Sequence, residues 1–246
     1  MRFLVTGGSR GIGAQIVRDV CAAGHDVAFT YRRNEEQAQA VVAAVRALRP
    51  DAICHAYQLD VRDPAATETV VDSAVDVLGG LEVVVPNAGI NLGGLLVSIS
   101  DEEWGEMIDT NLTGAFYLCR QTLPALIAAR FGRIVFVSSV GQDGGMGQAA
   151  YSATKAGIGG LSQAISKEYG RKGITSNVLV LGVFETEMTR VGLSDRNREF
   201  WSNYCPTGRT GELAEVSRAL LFLASPGSSF INGSEVRLTG GLDWIP

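Results

Sequence analysis

Apolar residues fall along this chain in short runs, separated by longer stretches in which they recur three or four residues apart. The runs Phe3-Leu4-Val5, Val27 to Tyr31, Ala52 to Leu59, Leu81 to Val85, Ile134 to Val137, Ile174 to Leu181 and Glu235 to Leu238 read as strands. Helical spacing joins Ile16, Val17 and Val20 up to Gly24, and continues over Glu35 to Leu48 and over Pro64 to Leu78, where proline fills the first turn. A long amphipathic helix opens at Asp101 and carries Trp104, Met107, Ile108, Leu112, Phe116 and Leu118, and Pro124 inside it predicts a kink or a break. Further helices run from Tyr151 to about Arg171 and from Glu212 to Ala224. Strands rich in Val and Ile, alternating with helices, predict a single-domain α/β protein over residues 1–246. Its core is a Rossmann-type doubly wound sheet of about seven mostly parallel strands with helices on both faces. Ligands of such a sheet bind at the carboxyl ends of its strands.

Composition narrows the classes of function. At 246 residues and 46% hydrophobic content the chain can bury one large core but is short for two domains. A net charge of -5 with interspersed signs gives no basic stripe, so neither nucleic acid nor a membrane surface is an expected partner. The chain passes from Met1 straight into a strand, and no apolar run approaches membrane-spanning length, so a cytoplasmic location is expected. Cys21, Cys54, Cys119 and Cys205 are far apart, and His25 and His55 are the only histidines. No metal site is expected, and the cysteines read as buried thiols.

The first strand feeds Thr6-Gly7-Gly8-Ser9-Arg10-Gly11-Ile12-Gly13 and then a helix. A glycine-rich turn in that context lets backbone N–H groups approach a pyrophosphate at the positive end of the helix dipole, so Gly7, Ser9, Arg10, Gly11, Ile12 and Gly13 are candidate nucleotide ligands. The second strand ends in Tyr31-Arg32-Arg33, where an acidic residue would bind the ribose 2′-hydroxyl of NAD and arginine accommodates the 2′-phosphate of NADP. NADPH/NADP+ is therefore the expected cofactor, with Arg10 and Arg32 flanking the phosphate and Arg33 a weaker contact. The competing reading makes Arg32 and Arg33 a solvated helix start paired with Glu35 and Glu36. Asp60-Val61 closes the third strand, where a carboxylate can accept from the adenine amino group, and Asn87-Ala88-Gly89 after the fourth lets the cofactor lie across the sheet.

Tyr151 and Lys155 stand four apart on a helix and so share a face. A cation near a phenol lowers its pKa, which would let Tyr151 hand a proton to a developing alkoxide; a strand-end hydroxyl, Ser138 or Ser139, would bond the same oxygen. Asn111 is polar on an otherwise apolar stripe and needs a specific partner. Gly182 to Cys205 is a long connection beside these residues and reads as a substrate lid at about 182–205.

Taken together, the glycine loop, Asp60-Val61, Asn87-Ala88-Gly89, Asn111, the serine, Tyr151 and Lys155 resemble the short-chain dehydrogenase/reductase family over essentially the whole chain, and most nearly its 3-oxoacyl-(acyl carrier protein) reductases. The resemblance implies an NADPH-dependent carbonyl reductase, a homotetramer with an Asn111–Ser139–Tyr151–Lys155 tetrad. Lys155 would bind the ribose hydroxyls, Asn111 would anchor a proton-relaying water, and Phe184 and Thr186 would contact the nicotinamide. Three departures stand out: Pro86 for the usual asparagine, Leu181 for the usual proline, and a serine-to-tyrosine segment one residue short if Ser139 is the catalytic serine. Counting back from Tyr151 lands on Ser138, and counting along the strand lands on Ser139; a strand tolerates slips badly, which favours Ser139. The implied reaction is reduction of a 3-oxoacyl thioester in fatty-acid or polyketide-type biosynthesis, with a carrier protein docking near the site mouth through Arg130, Arg171 and Lys172. The alternatives are reduction of a free ketone, steroid-like or aromatic, and a cofactor-binding regulatory subunit without catalysis.

Overall fold

The computed structural model describes residues 1–185 and 195–243, with side chains described outside 195–199. In chain order the strands are β1 Arg2–Val5, β2 Asp26–Tyr31, β3 Cys54–Gln58, β4 Val83–Val85, β5 Gly132–Ser139, β6 Ile174–Leu181 and β7 Glu235–Leu238. The helices are α1 Gly11–Ala22, α2 Glu35–Leu48, α3 Pro64–Leu78, α4 Asp101–Ile108, α5 Gly114–Ala129, α6 Ala149–Tyr169, α7 Asp195–Tyr204 and α8 Leu213–Ala224. All seven strands pair in parallel in the order β3-β2-β1-β4-β5-β6-β7. The chain winds outward from β1 to β3 and then crosses back to lay β4 on the other side of β1. That reversal opens a crevice above the carboxyl ends of β1 and β4.

The strands bury side chains on both faces, as crossover helices require. Phe3, Val5, Val135 and Val137 pack with Ile16, Val17, Val42, Val216 and Leu220 from α1, α2 and α8. Leu4, Ile134 and Phe136, one residue out of phase, pack with Val71, Leu118, Leu126 and Ile158 from α3, α5 and α6. The four cysteines are buried free thiols.

Local chemistry sets the helix ends. Asn34 accepts from Gln37 N (3.0 Å) to start α2, and Asp63 caps α3 ahead of Pro64. Ser100 and Glu103 form a capping box on α4. α1, like α5 and α6, has no side-chain cap: Arg10 makes none, so α1 presents its N-terminus to the crevice uncapped.

The expected break is not seen. α5 runs through Pro124 without a break, because Pro124 and Arg120 lie on the exposed face, where the carbonyl freed by the missing N–H can be hydrated. The helical irregularity falls earlier, as a π-turn over Asp109–Thr113 that separates α4 from α5. At the departures from the family pattern, Pro86 follows the end of β4 and its carbonyl still accepts from Val137 N (3.1 Å). Leu181 is 3% exposed and keeps β6 in register with both neighbours to the strand's last residue.

The glycine turn is packed so closely that side chains are excluded. A Cβ on Gly13 would sit 2.2 Å from Gly7 O and 2.7 Å from Asn87 Nδ2. Gly13→Ala is expected to destabilise the fold by about 1–3 kcal/mol, the usual cost of overpacking a tight site. The drop in unfolding midpoint in urea checks this; an unchanged midpoint would mean that the turn is looser than this packing implies.

Candidate active site

The crevice is a cleft of about 870 Å³. One end is built by the β1–α1 turn, where Gly7 adopts φ 70° and Gly7, Ser9, Arg10, Gly11, Ile12 and Gly13 line the wall. Thr6 ties this turn to the end of β4: its Oγ1 accepts from Asn87 N and Ala88 N, both at 3.1 Å, while Asn87 Nδ2 donates to Thr6 O (2.9 Å) and Gly7 O (3.2 Å). Asn87, Ala88 and Gly89 thus form the floor, as expected.

The β2 and β3 ends form the opposite edge, where Tyr31, Arg32, Arg33, Asp60 and Val61 line the cleft. Tyr31 and Val61 are each 8% exposed and pack mainly into the core. Asp60, expected to accept from an adenine amino group, lines this edge and is already engaged by neighbouring arginines. Its Oδ1 takes Arg62 N (3.1 Å) and Arg62 Nε (2.9 Å), and its Oδ2 takes Arg62 Nη2 (2.6 Å) and Arg32 Nε (3.2 Å). Three of these contacts are hydrogen bonds from Arg62 and the fourth, to Arg32, is an ion pair. The hydrogen bonds from Arg62 hold the Asp60 carboxyl down at about 2. Arg32 pairs with Asp60 and with Glu106 (3.5 Å) rather than with Glu35 or Glu36. Arg62 and Glu106 escaped sequence reading, since neither belongs to a recognisable motif.

Tyr151, in the first turn of α6, and Lys155, one turn later, stand at the far end of the cleft with Ser139. Gly141 lets the backbone approach the phenol: a Cβ there would lie 3.0 Å from Tyr151 Cε1 and 3.2 Å from Gln148 Oε1. Gln148, three residues before Tyr151, also lines the cleft and was missed, although that spacing puts it near the phenol. Ser139 accepts from Gly141 N (3.1 Å) and lines the cleft beside Tyr151, close enough to favour its anionic form. Ser138, 3% exposed, shares a face with Ile134 and Phe136 and donates to Gln142 Oε1 (2.8 Å) and Lys155 O (3.3 Å), so it braces α6 against β5. Ser139→Ala is therefore expected to cost about 10²–10³-fold in kcat, the usual loss of one oxyanion donor. Ser138→Ala is expected to act on stability, by about 1 kcal/mol. Steady-state kinetics beside thermal melts separate the two serines, and a larger kcat loss for Ser138→Ala would reverse the assignment.

The expected lowering of the tyrosine pKa is also corrected. Burial pushes the Tyr151 phenol up, and Ser139 only partly opposes it. Lys155 is 5% exposed, donates to Val137 O (2.9 Å), and lies 5.6 Å from the centre of the Tyr151 ring. Burial pulls its ammonium down to about 8. In the protein alone, desolvation sets the direction of both shifts.

Asn111 lies behind the cleft wall, 1% exposed, in the π-turn. Its Oδ1 accepts from Ile90 N (2.8 Å), and its Nδ2 donates to Ile90 O (2.9 Å) and Thr154 Oγ1 (3.1 Å). The side chain holds the loop after β4 against α6, leaving its backbone as the group that could anchor a water. Asn111 Oδ1 and Lys155 Nζ both converge on Gly89, 3.1 and 3.7 Å from where a Cβ would stand.

Phe184, 5% exposed, lines the same end through a bridge to Gly211, and Trp201 of α7 lines it too. Thr186 lies outside the described residues. The presumed docking cations are displaced from the mouth. Arg130 precedes β5, and Arg171 and Lys172 precede β6, at the Gly132↔Ile174 end of that pair, whereas the site is at the Ser139↔Leu181 end. Strand rise puts roughly 23 Å between those ends. Among the described residues no group of three or more His, Cys, Asp or Glu could hold a metal, and no helix is long and apolar enough to cross a membrane.

An uncapped helix N-terminus, a turn into which no Cβ fits and arginines at the adenosine edge fit a phosphorylated dinucleotide. The family model described as Enoyl-(Acyl carrier protein) reductase matches residues 7–243. Among curated relatives, the 3-oxoacyl-[acyl-carrier-protein] reductase FabG of Escherichia coli (strain K12) is 39% identical over 240 residues, covering 97% of this chain and 96% of that protein. The acetoacetyl-CoA reductase of Rhizobium meliloti (strain 1021) is 40% identical over 239 residues with the same coverage. Among solved structures, levodione reductase superposes with a TM-score of 0.92 at 28% identity over 98% of this chain and 96% of that one. A short-chain dehydrogenase/reductase of Serratia marcescens gives 0.91 at 28% identity, over 98% of this chain and 97% of its own. On this evidence of sequence, topology and site together, the chain belongs to the short-chain dehydrogenase/reductase family.

Proposed function

We propose that the protein is a cytoplasmic NADPH-dependent reductase of 3-oxoacyl thioesters, forming the 3-hydroxyacyl product. The observation that carries this reading is the convergence of Ser139, Tyr151 and Lys155, the last one helical turn on from the tyrosine, at one end of a cleft whose other end is lined by Arg10, Arg32 and Arg33. The names of the relatives, one acting on carrier-bound and one on CoA-bound substrates, support the substrate class.

NADPH, when bound, supplies the hydride for the carbonyl carbon. Ser139 holds the carbonyl oxygen in place, and Tyr151 gives it a proton as charge develops there. Lys155, fixed by the Val137 carbonyl, would hold the ribose hydroxyls and return a proton towards the phenol. Burial keeps water from competing with these donors. A homotetramer is supported by exposed Trp104, Phe116, Phe222 and Phe230, large apolar groups that a second copy would cover. The lid at about 182–205, with α7 inside it, would close over the substrate.

A second reading, reduction of a free cyclic or aromatic ketone, is favoured by Trp201 in the cleft wall and by the Phe200–Tyr204 ring contact at 4.3 Å beside it. Steady-state kinetics with carrier-bound, CoA-bound and free ketones decide between them. Selectivity for a free ketone would overturn the thioester reading, and nucleotide binding without turnover of any substrate would instead favour a regulatory subunit.

A further inference from the structure

At the adenosine edge of the cleft two guanidinium groups and two carboxylates form one cluster. Arg32 reaches Asp60 (3.2 Å) and Glu106 (3.5 Å), and Arg62 reaches Asp60 (2.6 Å) and Glu106 (3.8 Å). The side chains are each about one-third exposed, 32–37%. Of the two arginines only Arg32 lines the cleft. Its charge is therefore offset from behind before any ligand arrives, whereas Arg10 and Arg33, which also line that end, make no ion pair among the described residues.

The two carboxylates are not equivalent. Asp60 is locked by three hydrogen bonds of 2.6–3.1 Å from Arg62 and by the ion pair with Arg32 at 3.2 Å. Glu106 belongs to α4, outside the strand–turn–helix units that hold the nucleotide, and its two contacts are long. Removing its charge leaves the Asp60–Arg62 lock intact. We infer that Glu106 is a specificity-determining residue, whose carboxylate restrains the preference for a 2′-phosphate by offsetting the charge with which Arg32 meets it. This rests on the NADPH reading of the cleft and adds to it a control element supplied by a different part of the fold.

The sign follows from electrostatics. A 2′-phosphate carries nearly two negative charges, so a carboxylate a few ångströms behind Arg32 opposes its binding, while an unphosphorylated ribose feels little of it. Glu106→Gln keeps the shape and an acceptor for Arg32 Nη1 and removes only the charge.

The test is isothermal titration of the full-length wild type and Glu106→Gln with 2′,5′-ADP and with 5′-AMP, which reads binding without any turnover. The variant is expected to bind 2′,5′-ADP about three- to tenfold more tightly at low ionic strength, with 5′-AMP unchanged to within about twofold and the gain fading as salt is added. Weaker or unchanged 2′,5′-ADP binding, or an equal change for both nucleotides, would overturn the inference. A wild type that binds neither nucleotide would instead overturn the cofactor reading, and this inference with it.

Discussion

Tyr151→Phe is expected to lower kcat by about 10²–10⁴-fold, the usual contribution of a positioned general acid, with little change in nucleotide affinity. The variant removes one oxygen, which stands beside Ser139 at the chemical end of the cleft. It keeps the ring, which rests against the Gly141 backbone and defines how α6 meets the loop after β5. The fold and the nucleotide end should therefore be untouched. Because burial raises the phenol's pKa in the protein alone, the tyrosine stays protonated across neutral pH and is ready to donate without first binding a proton. Paired measurement of kcat and of the NADPH dissociation constant checks the assignment. A variant with near-normal turnover removes Tyr151 from proton transfer, and one that loses nucleotide binding to the same degree would make the phenol a ligand rather than an acid.

The sequence carried the parts of this molecule that depend on local pattern. Runs of Val and Ile marked the parallel strands because both faces of such strands are buried, and the glycine turn was legible because a strand, close-approach glycines and a helix follow each other directly. Helical periodicity put Tyr151 and Lys155 on one face, and the resemblance of the whole set of motifs gave the pair its chemical role. Features set by long-range contacts were not. The π-turn at Asp109–Thr113 accompanies bonds from Asn111 to Ile90 and Thr154, 21 and 43 residues away, while Pro124, locally the stronger signal, is harmless on an exposed face. The state of Arg32 and Asp60 depended on Arg62 and Glu106, which only the folded chain brings together. The tyrosine pKa was misjudged for a related reason: spacing reports that a lysine is near, but not how far burial penalises both charged forms. The intolerance of strands to slips favoured Ser139 over Ser138 from the sequence, while the bond from Ser138 to the backbone of α6 is a long-range contact that only the folded chain shows.

Lys155→Met is expected to abolish reduction and yet to stabilise the cofactor-free protein at neutral pH. Lys155 is 5% exposed, its bond is to the neutral Val137 carbonyl, and burial lowers its pKa from 10.5 to about 8. A depressed lysine pKa means that the folded state holds the proton less well than the unfolded state. Below pH 8 the ammonium is carried in both states and the full cost of burying it applies, roughly 3 kcal/mol for a shift of this size. Between about 8 and 10.5 the unfolded chain binds more protons than the folded one, so wild-type stability rises with pH. Methionine fills a similar volume without a charge but leaves the Val137 carbonyl without its donor, a loss of about 1 kcal/mol. The expected balance is a gain of about 1–2 kcal/mol at pH 7 that shrinks towards pH 10. Such a trade fits an active site that holds a desolvated cation for chemistry at the expense of stability. Urea unfolding of both proteins without nucleotide, at pH 7 and again near pH 10, is the check. A variant less stable than the wild type at pH 7, or an advantage that does not narrow as pH rises, would mean that Lys155 is stabilised in the fold by a partner other than the Val137 carbonyl.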